Sequence, residues 1–257
     1  MNATWRGMMA LAEFEGRRSM TWSRMGLWLV LAGFPVAIVL LFVIFGDGPM
    51  SHGPTRDQLM QVMIFVLTQV TVALSVLLWA SPSLQVELEN RTWIYSATRP
   101  YGRRSVLLGR YLVALVWSST TNVTSAFLCC MIAGLPSALL PMCGLVLLGC
   151  AAYSSLFSLL AVMFPKRAMT VAFAMSGIDF GVAFIPAMIR QFSIQYHLRC
   201  LLAKWMGQET EMGAEVSMFL SDAWAIQHIA ILAVYVVALL AMAVYILERK
   251  EIATDDL

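Results

Sequence analysis

Few residues in this chain could do chemistry. Asp179 lies in the apolar run AMTVAFAMSGIDFGVAF, residues 168–184, where an acid at the centre of a membrane helix costs about 3 kcal/mol unless it faces protein or water. Two uses answer that cost. The carboxylate could line a route for a proton, an ion or a substrate, or it could bond a neighbouring helix drawn close by the small residues of Gly177-x-x-x-Gly181. Asn122 belongs to a polar run that includes Ser118, Ser119, Thr120, Thr121, Thr124 and Ser125, and packing or lining a wet route are again the two readings.

Other combinations fall short. Ser176-Gly177 with His228 is the one pairing that suggests an intramembrane serine protease. The sequence AMSG lacks a glycine two residues before the serine, and His228 is expected at the opposite end of its span from Ser176. His197 and Cys200 have an H-x-x-C spacing beside Arg199, but two ligands without a second pair do not make a tetrahedral metal site. There is no G-x-x-x-x-G-K-[ST], so any ATP must be handled by a partner chain. No enzyme, bound metal or cofactor is expected in this chain.

The elements that would hold these residues are membrane helices. Of 257 residues, 60% are hydrophobic and 12% charged, about half the charge of a soluble domain. Six runs approach the roughly 20 apolar residues that a membrane helix needs: 25–45, 59–80, 106–133, 139–163, 168–189 and 225–247. The first is preceded by Glu13 and Glu15 and is too long for a signal-peptide core, so it is expected to remain as a span. The basic residues favour one side of the membrane. With both termini cytosolic, only Arg56, Arg190, Arg199 and Lys204 of the 17 Lys and Arg fall outside.

Cys129, Cys130, Cys143 and Cys150 fall within expected spans and Cys200 in an outer loop, which is no disulfide framework. Residues 1–24 suit an interfacial helix, with Arg6, Glu13 and Arg17 on one face and Trp5, Met8, Met9 and Ala12 opposite. Gly134-Leu135-Pro136 predicts a tight hairpin between the third and fourth spans. Residues 190–224 carry Phe192, Ile194, Leu198, Leu201, Leu202 and Trp205 at helical spacing, so one or two short helices are expected at the outer interface. The whole chain, 1–257, reads as a single transmembrane domain.

Residues 81–105 are the second long connection. Ser81-Pro82-Ser83 opens a new element, and Pro100 and Gly102 close it before the third span. A short helix fits the interval, with Leu84, Leu88 and Tyr95 near one face and Glu87 four residues before Arg91, a pairing that supports an isolated helix. The stretch ELENRTWIYSATRPYGRRSVLLGRYL resembles the corresponding segment of type-2 ABC exporter permeases. Glu87 and Glu89 match the two acids of that pattern, Thr92 its threonine, Pro100 and Arg103 its Pro-x-x-Arg, and Leu108-Gly109 the opening of the third span. Arg91 stands where the family has glycine, and Arg110 replaces a lysine at a depth where it can snorkel.

The resemblance extends to an amphipathic start containing AEFEGRR, to six spans, to a long outer segment before the last span and to the charged end LERKEI. It implies an all-α membrane protein with six transmembrane helices, an N-terminal interfacial helix and a cytosolic coupling helix between spans two and three. It further implies an ABC exporter subunit in a bacterial cytoplasmic membrane, paired with a second copy or a close relative. A separate ATPase subunit would bind ATP and Mg, and nucleic acid has no part in it. The residues expected to meet that ATPase are Glu87, Glu89, Arg91, Thr92, Tyr95, Arg99, Pro100, Arg103 and Arg104, with Asp179 and Asn122 as candidates for a substrate pathway. An ion- or proton-coupled carrier using Asp179, or a membrane assembly factor without transport, are the rival readings.

Overall fold

The computed structural model describes residues 9, 13, 16, 21–45, 56–80, 102–183, 188–206 and 224–249. All their regular structure is helical. Helix α1 spans Trp22–Phe45. Helix α2, Arg56–Ile64, passes through a π-helical stretch, Phe65–Thr71, into α3, Val72–Ala80. Then follow α4 (Gly102–Ile132), α5 (Leu139–Met163), α6 (Ala168–Val182), α7 (Ile194–Met206) and α8 (Ala225–Arg249).

Among the described residues, five segments are long and apolar enough to cross a membrane: Trp22–Phe45, Gln58–Ala80, Arg104–Ile132, Pro136–Met163 and Ala225–Arg249. Their bounds lie within a few residues of the expected runs, because apolar stretches in this chain end at turn formers or charges. The expected N-terminal interfacial helix lies mostly outside the described residues; Met9, Glu13 and Gly16 in it are helical.

Helix α5 is the central post. Met142, Leu145, Val146, Cys150, Tyr153 and Phe157 along it are essentially inaccessible, and α4, α8, α3 and α7 all pack on it. The turn that leads into it has a specific cause. Gly134 has φ +67°, its N–H donates to the Met131 carbonyl at 3.2 Å, and the Leu135 N–H donates to the Cys130 carbonyl at 3.0 Å. That pair of bonds closes the end of α4 in a Schellman motif with glycine at the left-handed position. The expected hairpin follows from it.

Two expectations are corrected along α6 and α7. The run 168–189 does not form one spanning helix, because α6 stops at Val182 after 15 residues, about 22 Å of rise against a hydrocarbon core of about 30 Å. From Ser193 on, the described part of the segment beyond it is covered by protein. Ser193 to Leu198 and Cys200 to Ala203 are buried, and α7 runs antiparallel along α5, with Gln195 against Tyr153, Leu198 against Gly149 and Trp205 against Gly144. Cys200, expected in an outer loop, is buried in this helix. The apolar stripe of residues 194–205 forms one face of a helix, as its spacing predicts, and it packs against protein.

Candidate functional site

The polar centre of the bundle lies where α6 breaks off and α7 begins, level with the middle of α5. Helix α7 starts with its first N–H groups lacking partners in their own helix, and two side chains meet that need. Ser193 Oγ accepts from the Tyr196 N–H at 3.3 Å, the geometry of an N-cap. The Asp179 carboxylate accepts from the other two: Oδ1 from the Ile194 N–H at 3.0 Å and Oδ2 from the Gln195 N–H at 3.3 Å. Negative charge at a helix N-terminus is also favoured by the helix dipole. Ser193 Oγ in turn donates to the Asp179 carbonyl at 3.1 Å, so the two ends of the break are stapled to each other.

Helix α5 contributes Tyr153, 1% exposed, whose hydroxyl donates to Asp179 Oδ2 at 2.5 Å. That hydroxyl has one proton, so it must accept from its remaining neighbour. Gln195 Nε2 supplies the donor at 2.9 Å and gives its other hydrogen to the Thr68 carbonyl at 3.3 Å. The acceptors determine which way the Gln195 amide faces, since a carbonyl cannot donate. Thr68 sits in the π-helical stretch, with its own Oγ1 donating to the Ile64 carbonyl at 2.7 Å. Single π turns inside α-helices recur at functional sites, and here one meets a broken helix through Gln195.

Beside this network a groove of about 320 Å³ opens between α5, α6 and α8, its wall formed by Leu156, Met175, Ile178, Asp179, Tyr235 and Leu239 among others. Apart from Asp179 and Ser193 its lining is apolar or aromatic. The Tyr235 hydroxyl donates to the Gln191 carbonyl at 3.1 Å, leaving its ring as groove wall.

The other expected residues are distributed as follows. Asn122 is fully buried, and its Nδ2 lies 2.7 Å from both Ser75 Oγ and the Ser118 carbonyl and 3.4 Å from Cys150 Sγ. It ties α3, α4 and α5 together, apart from the Asp179 network. Most hydroxyls near it bond their own helix, as Thr121 Oγ1 does to the Trp117 carbonyl at 2.8 Å and Ser158 Oγ to the Ser154 carbonyl at 2.7 Å. Ser176 Oγ is likewise taken by the Phe173 carbonyl at 2.8 Å, while His228 pairs with His197, so the serine and histidine are engaged elsewhere. Among the described residues no three His, Cys, Asp or Glu side chains gather as a metal site.

Glu87, Glu89, Arg91, Thr92, Tyr95, Arg99 and Pro100 lie outside the described residues, and with them the expected coupling helix. Arg103 falls in the first turn of α4. Arg104 is bonded to Glu248 in the last turn of α8: its Nε meets Oε1, and its Nη2 donates to Oε2 at 2.8 Å. Arg110, expected to snorkel, is only 8% exposed, because its part of α4 is covered by neighbouring helices.

The close helix approach expected at Gly177 and Gly181 is not made, since nothing lies within 4 Å of where a Cβ would stand at either. Helical geometry explains this: both glycines sit two residues from Asp179, about 200° around the helix, so an inward carboxylate turns them away. The tight contacts fall at Gly144 and Gly149 of α5 instead, with Trp205 at 3.1 Å and Val72 at 3.2 Å from the would-be Cβ atoms.

Sequence reasoning found Asp179 and missed Tyr153, Gln195, Ser193 and Thr68. Ser193 had a legible signal, a serine directly before the periodic run IQYHLRCLLAKWM. No protein-family model, curated protein or solved structure matches the chain.

Proposed function

We propose that this chain is the membrane subunit of an ATP-driven exporter of the type-2 ABC kind. A separate ATPase subunit binds on the side of residues 81–105, and rearrangement of the spans exposes a central route to alternate sides of the membrane. In this reading α6 and α7 together make the fifth of six crossings, both termini are cytosolic, and a second copy completes the route. The chain catalyses no reaction itself.

The observation that carries the proposal is the bidentate pair between Arg104 and Glu248. Helix α4 begins where the candidate coupling segment ends, and this fork-to-fork contact ties its first turn to α8, which packs along α5 and α7. A push on residues 81–101 therefore has a short path to the helices that flank the break. The test is co-expression with candidate ATPases. Co-purification of one of them, with transport lost in Glu89→Lys or Arg103→Glu, is expected; no partner and intact transport in both variants would end the proposal.

A carrier driven by an ion or proton gradient is the second reading, and the half-helix start at Asp179 is what favours it, since interrupted helices of this kind form ion sites in secondary transporters. It predicts flux without ATP that disappears in Asp179→Asn. Against it, three donors from Tyr153 and the start of α7 hold the Asp179 carboxylate, an arrangement that serves to position α7.

A further inference from the structure

We propose that the groove beside Asp179 binds the protonated amine of a lipophilic amphiphile, with the apolar tail along α6 and α8 and the ammonium group at the carboxylate. In calling such a ligand a substrate the proposal rests on the reading of the chain as a transport subunit; the binding itself does not.

Three features select this chemistry. The first is acceptor capacity. An ionised carboxylate offers about four lone-pair positions and no donor, and three are used here: Oδ2 by Tyr153 and the Gln195 N–H, Oδ1 by the Ile194 N–H alone. Asp179 is half-buried and forms part of the groove wall, so the unused position on Oδ1 is open to a ligand that donates. A carboxylate ligand would meet like charge there, and an alcohol would bring no charge to pair.

The second feature is the wall. Leu156, Met175, Ile178 and Leu239 supply an apolar bed, and Tyr235 and Phe192 add aromatic faces, which attract a cation through the ring quadrupole. Few polar groups among many apolar ones is the usual make-up of a small-molecule site, and about 320 Å³ is at the lower end of their size range. The third feature is access. Ile178, Ile189 and Phe192 on the rim are 55%, 58% and 77% exposed, so a ligand partitioned among lipid chains reaches the groove sideways, without crossing the packed interior. A competing cation is Arg199, whose guanidinium stands 5.7 Å from the Phe180 ring centre. In so apolar a setting, charge pairing is stronger than in water.

The experiment uses the full chain in phosphatidylcholine nanodiscs, with radiolabelled dodecylamine, dodecanol and dodecanoate as probes and empty nanodiscs as the blank. Dodecylamine is expected to bind at least tenfold more tightly than either of the others. Asp179→Asn should bring it down to the level of dodecanol. Ile178→Trp, which fills the groove from its rim and leaves every hydrogen bond of Asp179 in place, should abolish specific binding of all three. Equal binding of amine and alcohol to the wild type, or an amine preference that survives Ile178→Trp, would overturn the proposal. Should Asp179→Asn fail to fold, Ile178→Trp decides. No ATPase is present in this assay, so its failure leaves the exporter reading untouched, and failure to find an ATPase leaves the amine site untouched.

Discussion

The Nδ1 atoms of His197 in α7 and His228 in α8 lie 2.8 Å apart, both rings 2% exposed. At that distance one nitrogen must carry a proton and the other must not. His197 Nε2 lies 2.8 Å from the Gln191 carbonyl, which only accepts, so in the neutral ring the His197 proton is on Nε2 and its Nδ1 is bare. His228 therefore donates from Nδ1, and its Nε2 is a buried lone pair without a partner among the described residues. Nitrogen-15 NMR of labelled histidines should find the Nε2–H tautomer at His197 and the Nδ1–H tautomer at His228. Two identical tautomers would contradict the pairing.

The same pair makes a stability prediction. His228→Phe leaves His197 Nδ1 buried without a donor and should cost about 1–3 kcal/mol, whereas removing both rings together costs less than the two single changes added. Thermal unfolding of the four proteins in one detergent closes the cycle.

Tyr153→Phe removes one donor from Asp179 and one acceptor from Gln195. With a charged acceptor and a buried site, a loss of about 1.5–3 kcal/mol is expected, and its coupling with Asp179→Asn should be positive, since both changes break the same bond. A fall of a few tenths of a kcal/mol in the melting analysis would mean the network does not hold the break together.

Glycines offer a comparison within one protein. At Gly149 of α5 a Cβ would stand 3.2 Å from Val72 and 3.3 Å from Leu198, so Gly149→Leu should overpack the junction of α3 and α7 by about 1–3 kcal/mol. Gly177→Ala and Gly181→Ala meet open space and should be neutral or slightly stabilising through helix propensity. Equal effects at 149 and 177 would show the packing to be otherwise.

At the hairpin, Gly134→Ala forces a Cβ into φ +67° and should destabilise by about 1–2 kcal/mol, with Gly134→Asn less affected because asparagine tolerates the left-handed region. The measurement is again thermal unfolding, and equal values for the two substitutions would argue against a conformational cause.

Arg104 and Glu248 should separate stability from function. Their side chains are 48% and 36% exposed, so breaking the pair should change stability by less than about 1 kcal/mol. If the pair couples α4 to α8, Arg104→Glu lowers ATP-driven transport severalfold and Arg104→Glu with Glu248→Arg restores it. Restoration failing while both variants fold would remove the pair from the coupling path.

Much of the architecture was legible without coordinates. An uncharged apolar run of 20 or more residues has one low-energy fate in a bilayer, because its backbone must bond to itself, and so α1, α5 and α8 fall close to where the residue order puts them. The hairpin at Gly134 was equally local, since a glycine followed by Leu-Pro closes a helix by its own backbone bonds. An acid at position 179 had to face protein or water whatever the fold.

What the residue order could not decide was the identity of the groups facing Asp179. The stretch from Ala168 onward reads as one span because apolar content continues through the break, although Pro186 and Ser193 hint at a new start. The amphipathic stripe of α7 is the same whether it faces lipid or helices. Only packing distinguishes the two: a hydrophobic face reports that it will leave water, not what will cover it. Tyr153, Gln195 and Thr68 are each unremarkable in their own segments, and they become a site because antiparallel packing of α7 along α5 brings residues 42 and 127 positions apart in sequence within one hydrogen bond of each other.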